Sequence, residues 1–137
     1  MRKRLSYYTI LSYFERKMFL TLNHQKLDIY GVSRSFVLEC YKLTKEFPAE
    51  ERFNLISQIR RAALSVHLNV AEGCARKSEG ERKRFYEISR SSIIEVDAAL
   101  DISGDLGYCT KEALQPLGLS MTRCFSMLSK MIGGPTT

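Results

Sequence analysis

The sequence has little of several residues on which specialised folds depend. Its 137 residues include no tryptophan, two histidines, three prolines and eight glycines. So few prolines and glycines exclude a collagen-like chain and a linker-rich chain. No uncharged apolar run reaches the roughly 18 residues that a membrane-spanning helix needs. We therefore expect no membrane as a partner.

The four cysteines are far apart in the sequence, at positions Cys40, Cys74, Cys109 and Cys124. Zinc sites and disulfide frameworks need closely spaced ligands, but the chain contains neither a CxxC pair nor a Cys/His cluster. We therefore expect free thiols, no metal and no cofactor. Reduced thiols in turn favour a cytoplasmic location.

Most of the net charge of +6 lies near the N terminus. Residues 1–26 contain six basic side chains and one acidic side chain, which leaves +1 for residues 27–137. The opening MRKRLSYYTILSYFERKMFLTL starts like a signal peptide, but charged residues interrupt its apolar part and no cleavage site follows. We expect residues 1–23 to be an extension that is disordered, or untranslated with Met18 as the start. A helix lying on a membrane surface is the alternative.

Four segments repeat apolar residues at helical spacing, and no segment alternates like a strand. The pattern predicts helices over about residues 25–46 and 49–72, a third from Ser78 to Gly107, and a fourth from Thr110 to Gly133. Short connections make consecutive helices antiparallel. The sequence therefore predicts an all-α fold, an antiparallel up-down four-helix bundle over residues 24–133, followed by a tail over 134–137.

Particular residues mark the ends and faces of these helices. Ser78 and Thr110 are typical N-caps, Gly73 and Gly107 are typical terminators, and Pro116 is expected to kink or break the last helix. The face predicted for the second helix comprises Phe53, Ile56, Ile59, Ala63, Val66 and Val70. The face predicted for the third comprises Phe85, Ile88, Ser92, Val96, Ala99, Ile102 and Leu106.

The richest basic stretch lies in residues 60–90 and defines the candidate nucleic-acid site. Its members are Arg60, Arg61, Arg76, Lys77, Arg82, Lys83, Arg84 and Arg90. Such clusters bind phosphate backbones by releasing counterions, without a defined sequence. A purely structural interpretation competes with this one, because Glu79 and Glu87 each stand four residues from Lys83 and can form surface pairs with it.

Acidic residues gather later, where Asp97, Asp101 and Asp105 share one helical face with Glu95 nearby. Stacked aspartates near a helix C terminus repel each other and the helix dipole. A carboxylate metal site is conceivable, but its usual Glu-x-x-His motif is missing. We favour an acidic face that meets basic residues of a neighbouring copy, so that the bundle assembles head-to-tail. Arg60 or Arg61 can also pair with Glu95, either inside the bundle or across a subunit interface.

No catalytic motif can be recognised in the chain. GxSxG, HExxH and glycine-rich phosphate loops do not occur. His67 follows the core position Val66 of the second helix, where a partly buried structural histidine is expected. The sequence therefore predicts no catalytic residues and a protein that is not an enzyme.

Three strings in this order, FPAEERFNLISQIRRAALSVHLNVAEG, RKSEGERKRFYEIS and LDISGDLGYCT, resemble the family of 23S rRNA intervening-sequence proteins. The resemblance covers roughly residues 24–132. The chain departs from the family pattern at His67-Leu68, where Pro-Ser is usual, and at Ala75, where glycine is common. Residues 1–22 match nothing in the family.

The resemblance implies a four-helix bundle and a homo-oligomer in the form of a pentameric ring. It implies no established enzymatic activity. A related accessory protein of diversity-generating retroelements looks like such a ring, and the relationship implies contact with a reverse transcriptase and its nucleic acid. Our hypothesis is a homo-oligomeric bundle that binds structured RNA, or DNA, through the basic stretch. The alternative is a protein-binding scaffold or adaptor, for example for a nucleic-acid enzyme, in which these charges serve assembly.

Overall fold

The computed structural model describes residues 20, 22 and 27–133, and within them it contains four α-helices and no strand. Helix α1 spans Asp28–Thr44, α2 spans Leu55–Ala75, α3 spans Glu79–Asp105 and α4 spans Lys111–Ile132. A single 3₁₀ turn, Ala49–Glu51, lies between α1 and α2. The predicted all-α class is confirmed. The predictions for the N-terminal extension and for the tail at 134–137 lie outside the described residues.

The helices pack as a square in which each contacts two neighbours: α1 with α2, α2 with α3, α3 with α4, and α4 with α1. Cross-helix bonds show that α2 and α3 are antiparallel. Ser89 Oγ bonds to the Val66 carbonyl at 2.7 Å, and Gln58, two turns earlier in α2, donates to Glu95, later in α3. This is the four-helix bundle that the sequence predicts.

The core lies where the inward faces of the four helices meet. Its most deeply buried side chains are Phe36, Cys40, Ile59, Ala63, Val66, Val70, Val96, Cys124 and Leu128. They recur at steps of three and four residues, so burial at about 25 cal/mol per Å² of apolar surface stabilises helix formation and packing together.

Local side-chain chemistry sets most helix ends as predicted. Ser78 Oγ accepts from the Glu81 backbone N–H at 3.1 Å, and Thr110 Oγ1 accepts from that of Ala113 at 3.2 Å. Gly107 ends the third helical segment with φ of 78°, a left-handed conformation that favours glycine.

Two predictions about where helices end or break, at Gly73 and at Pro116, are wrong. Helix α2 continues through Gly73 to Ala75, so Gly73 is not a terminator. A Cβ atom at position 73 would stand 2.7 Å from Cε1 of Tyr86, and glycine is therefore needed because α3 comes close. Helix α4 runs unbroken through Pro116. Pro116 is exposed near the start of α4, where water can replace the backbone hydrogen bond that it lacks.

The predicted face of α3 is wrong by about one residue along much of its length. Tyr86, Ser89, Leu100 and Ser103 are buried there, whereas three predicted members, Ile88, Ile102 and Leu106, are 41–52% exposed. Buried serines explain the error: each finds a hydrogen-bond acceptor, as Ser103 does at the Ala99 carbonyl at 2.8 Å. Phe53, predicted for the α2 face, is also exposed.

Candidate nucleic-acid interface

The structure divides the eight candidate basic residues among three places. Five lie together where α2 ends and α3 begins, and we call them the basic end: Arg76, Lys77, Arg82, Lys83 and Arg84. Arg60 and Arg61 lie in the second turn of α2, about 22 Å along the helix from its C-terminal end. Arg90 lies three turns into α3, on the side that faces α4.

Arg60 connects α2 to α1. Its Nε donates to Thr44 Oγ1 at 2.8 Å and its Nη2 donates to the Tyr41 carbonyl at 3.3 Å. The guanidinium also lies 4.6 Å from the centroid of the Tyr41 ring. With these bonds made, Arg60 has a structural role within the bundle, whereas its neighbour Arg61 is exposed.

Within the basic end, two arginines hold the loop in shape. Arg82 Nη1 donates to the carbonyls of Arg76 and Lys77 at 3.1 and 2.6 Å. Arg76 forms an ion pair of 2.6 Å with Glu72 and lies 4.9 Å from the centroid of the Phe85 ring. These bonds hold the loop between α2 and α3 in a defined conformation.

The remaining charges of the basic end differ in their partners. Lys83 forms the predicted i,i+4 pair with Glu79, at 3.2 Å. Lys77 and Arg84 are exposed, and among the described residues neither is within ion-pair distance of a carboxylate. These two side chains are therefore the ones that can neutralise an external anion without first breaking an internal bond.

The acidic residues lie toward the opposite end of α3. Asp97, Asp101 and Asp105 are exposed along one side of the helix. Glu95 accepts a hydrogen bond from Gln58 rather than pairing with Arg60 or Arg61 within the bundle. The acidic side of α3 therefore lies near the end of the bundle that is opposite the basic end.

The reactive side chains His67, Cys40 and Cys124 are held in contacts within the bundle. Ser33 Oγ and His67 Nδ1 share a hydrogen bond of 2.7 Å. Cys40 and Cys124 are buried, and desolvation raises the pKa of each thiol to about 12, which keeps it protonated. Over the part of the chain that the structure describes, no three His, Cys, Asp or Glu side chains cluster as metal ligands would.

Sequence reasoning missed a groove between α3 and α4, of about 460 Å³. Its walls are formed by Ile93, Ile94, Asp97, Met121, Thr122, Phe125, Ser126 and Ser129. Arg90 stands at its rim, where Nη1 donates to Ser129 Oγ at 3.1 Å and Cζ lies 5.8 Å from the Phe125 ring centroid. The four-residue spacing of Met121 and Phe125 places both side chains on one face of α4. This spacing does not show how far α4 stands from α3, so the groove could not be predicted from it.

A model of the 23S rRNA-intervening sequence protein family matches residues 25–130, which is most of the chain and includes both the basic end and the groove. The chain belongs to this family. The predicted resemblance is thereby confirmed.

The fold of this chain is similar to that of a protein whose structure has been solved. It is a protein of unknown function from the S23 ribosomal protein family of Bacteroides thetaiotaomicron, with a TM-score of 0.69 and 19% identity. The match covers 77% of this chain and 99% of that one. No curated protein matches the sequence. None of the helices in the described residues is long and apolar enough to cross a membrane.

Proposed function

We propose that the protein is a non-enzymatic, homo-oligomeric bundle of the cytoplasm that binds structured RNA, or another nucleic acid, through its basic end. The observation that carries the proposal is the exposure of Lys77 and Arg84 beside a loop that Arg82 holds in place. The family's connection with 23S rRNA makes RNA the first ligand to test.

Physical reasons favour phosphate as the group that this end binds. Lys77 lies just before α3 and Arg84 lies in its second turn, so neither cation gains from the helix dipole, which favours negative charge at this end. Each phosphate that a cation neutralises releases condensed counterions, which makes binding salt-dependent. Two contacts are weak alone, but a homo-oligomer repeats them and adds their effects.

Self-association is part of the proposal, and a pentameric ring is the form that the family resemblance implies. Apolar side chains in α2 and α3, and in the residues directly beside them, remain exposed: Phe53, Leu64, Leu68, Ile88, Ile102 and Leu106. Contiguous exposed apolar surface is typical of protein interfaces. Asp101 and Asp105, the exposed acidic residues of α3 beyond the groove, provide the negative partner for basic residues of the next copy that lie outside the basic end, in a head-to-tail contact that closes into a ring.

A binding measurement at two salt concentrations tests the proposal. We expect the full chain to bind a fluorescently labelled structured RNA at 50 mM salt and to lose about a hundredfold or more in affinity at 200 mM. The double variant Lys77→Glu/Arg84→Glu should bind far more weakly, while Lys77→Gln/Arg84→Gln should lower the slope of log K against log salt by about two for each protomer that contacts the RNA.

A matched control separates this site from general charge. Lys45→Glu/Arg52→Glu changes the net charge equally, at exposed positions near the opposite end of the bundle. It should bind RNA more tightly than the Lys77/Arg84 reversal does, with circular dichroism confirming helicity in both. Equal losses in the two variants would contradict the site assignment, and no binding at 50 mM salt would contradict RNA binding itself.

The second candidate function is a protein-binding scaffold or adaptor. The exposed apolar side chains of α2 and α3 favour it, because they fit a partner protein as well as another copy. Affinity purification that recovers a protein partner after nuclease treatment, together with a failed RNA-binding measurement, would select this function instead.

A further inference from the structure

The groove between α3 and α4 combines an apolar interior with charged groups at its two ends. Arg90 stands at one end and Asp97 lines the other, seven residues or about 10 Å further along α3. Ile93, Ile94 and the half-buried Phe125 line the space between them. Its volume of about 460 Å³ lies within the range of about 300–1,000 Å³ typical of small-molecule sites.

Two flat π systems meet at the rim of this groove. The Arg90 guanidinium lies 5.8 Å from the centroid of the Phe125 ring, within the distance of a cation–π contact. The hydrogen bond from Arg90 to Ser129 fixes the orientation of the guanidinium. Unpaired bases stack on aromatic rings and on arginine planes alike.

Positive charge continues from the groove toward the basic end. Lys83 lies on the same seam, two helical turns before Arg90, with its Nζ 3.9 Å from where a Cβ of Gly133 would stand. A strand whose phosphates contact the basic end therefore meets Lys83 and then Arg90 on its way to the groove. This continuity of charge favours a nucleic-acid strand over a neutral ligand.

We propose that the groove between α3 and α4 binds a single unpaired nucleotide of the bound RNA, with its base against the Arg90–Phe125 pair and its phosphate on Arg90. This inference rests on the proposed function and names the kind of RNA that it needs: a duplex with a bulge or a single-stranded end. The Asp97 carboxylate at the far end can accept hydrogen bonds from a base amino group.

The test compares two RNA hairpins that differ in one feature. One is blunt, and the other carries an unpaired 2-aminopurine nucleotide, whose fluorescence is quenched on stacking. We expect the full chain to quench this fluorescence and to bind the second hairpin about fivefold or more tightly than the first, as one stacked base provides. Phe125→Leu keeps apolar bulk but removes the π face, so it should abolish both effects. Phe125→Tyr should retain them.

Arg90→Gln keeps a hydrogen-bond donor for Ser129 and removes the charge. It should lower the salt slope by about one on the hairpin with the unpaired nucleotide and leave the blunt hairpin unchanged. Leu119→Ala, at an exposed position of α4 outside this groove, is the control that should change neither measurement.

Two outcomes would overturn the inference while the proposed function stands. One is equal binding of both hairpins by the wild-type chain, as expected if the groove serves a peptide partner. The other is a Phe125→Leu variant that still discriminates between them. Failure of both hairpins to bind at 50 mM salt would instead overturn the proposed function.

Discussion

The two seams that α3 makes with its neighbours are built differently. Against α2, the backbone at Gly73 lies in contact with the Tyr86 ring, and the Ser89 and Ser92 hydroxyls bond across to α2. Against α4, the same helix leaves a groove of about 460 Å³ beside Phe125. One helix therefore has one closed seam and one open seam.

The difference comes from side-chain size. Glycine and serine let two helices approach closely, and the serine hydroxyls are satisfied by acceptors on the facing or the same helix. Met121 and Phe125 are larger and only half-buried, and they leave a gap between them and α3. Substitutions in the closed seam should therefore change stability, and substitutions in the open seam should chiefly change ligand binding.

Truncation of the aromatic residue in each seam should give the largest contrast. Tyr86 is 6% exposed, and Tyr86→Ala should lower the free energy of unfolding by about 3–5 kcal/mol. Phe125 is only half-buried, so Phe125→Ala should cost about 1–2 kcal/mol. Urea denaturation of both variants measures the difference, and equal losses would show that the two seams are packed alike.

A matched pair of glycine substitutions should change the free energy of unfolding by smaller amounts and in opposite directions. Gly73→Ala places a Cβ 2.7 Å from Tyr86, and overpacking of this kind costs about 1–3 kcal/mol. At Gly118 in α4 a Cβ would meet no atom within 4 Å, so Gly118→Ala should stabilise the helix by about 0.5–1 kcal/mol.

Thermal unfolding of the two glycine variants provides the comparison. We expect the melting temperature to fall for Gly73→Ala and to rise for Gly118→Ala. A Gly73→Ala variant as stable as the wild type would show that α3 can move away from α2, and the seam would not be closed.

Much of the fold could be predicted because it depends on local signals. The spacing of apolar residues predicts the four helices. Ser78, Thr110 and Gly107 set helix ends through bonds and backbone conformations that involve only neighbouring residues of the sequence. Gly73 could not be interpreted in this way, since its role depends on Tyr86 of another helix. The buried face of α3 was missed for a related reason: Ser89 is buried because Val66 offers it an acceptor, and hydrophobicity takes no account of acceptors.

The candidate site was predictable in position and less so in detail. A basic loop between antiparallel helices must lie at one end of the bundle, and Arg76, Lys77 and Arg82 do lie there. The bonds from Arg82 to the loop backbone and from Arg60 to Thr44 of α1 could not be predicted. They depend on distances in three dimensions, and the spacing of residues along the sequence does not give these distances. The groove beside Phe125 depends on the separation of two helices and was missed entirely.

The smallest expected effect comes from the Tyr86 hydroxyl at alkaline pH. Burial, together with the 3.4 Å contact between this hydroxyl and Cys74 Sγ, raises the pKa of Tyr86 above its ordinary value of 10.0. The unfolded chain therefore loses this proton at a lower pH than the folded chain. Stability that is complete below about pH 10 should fall as the pH rises toward the folded-state value.

Tyr86→Phe isolates this contribution, because phenylalanine keeps the ring in the closed seam and cannot ionise. At neutral pH the variant should lose about 0.5–1 kcal/mol with the hydroxyl contact. Above pH 10 its stability should fall less steeply than that of the wild type, with the buried thiols Cys40 and Cys124 contributing equally to both. Urea denaturation at pH 7 and pH 11 measures the two slopes. Parallel slopes would mean that water already reaches the Tyr86 hydroxyl, and hence that the seam between α2 and α3 is open at this point.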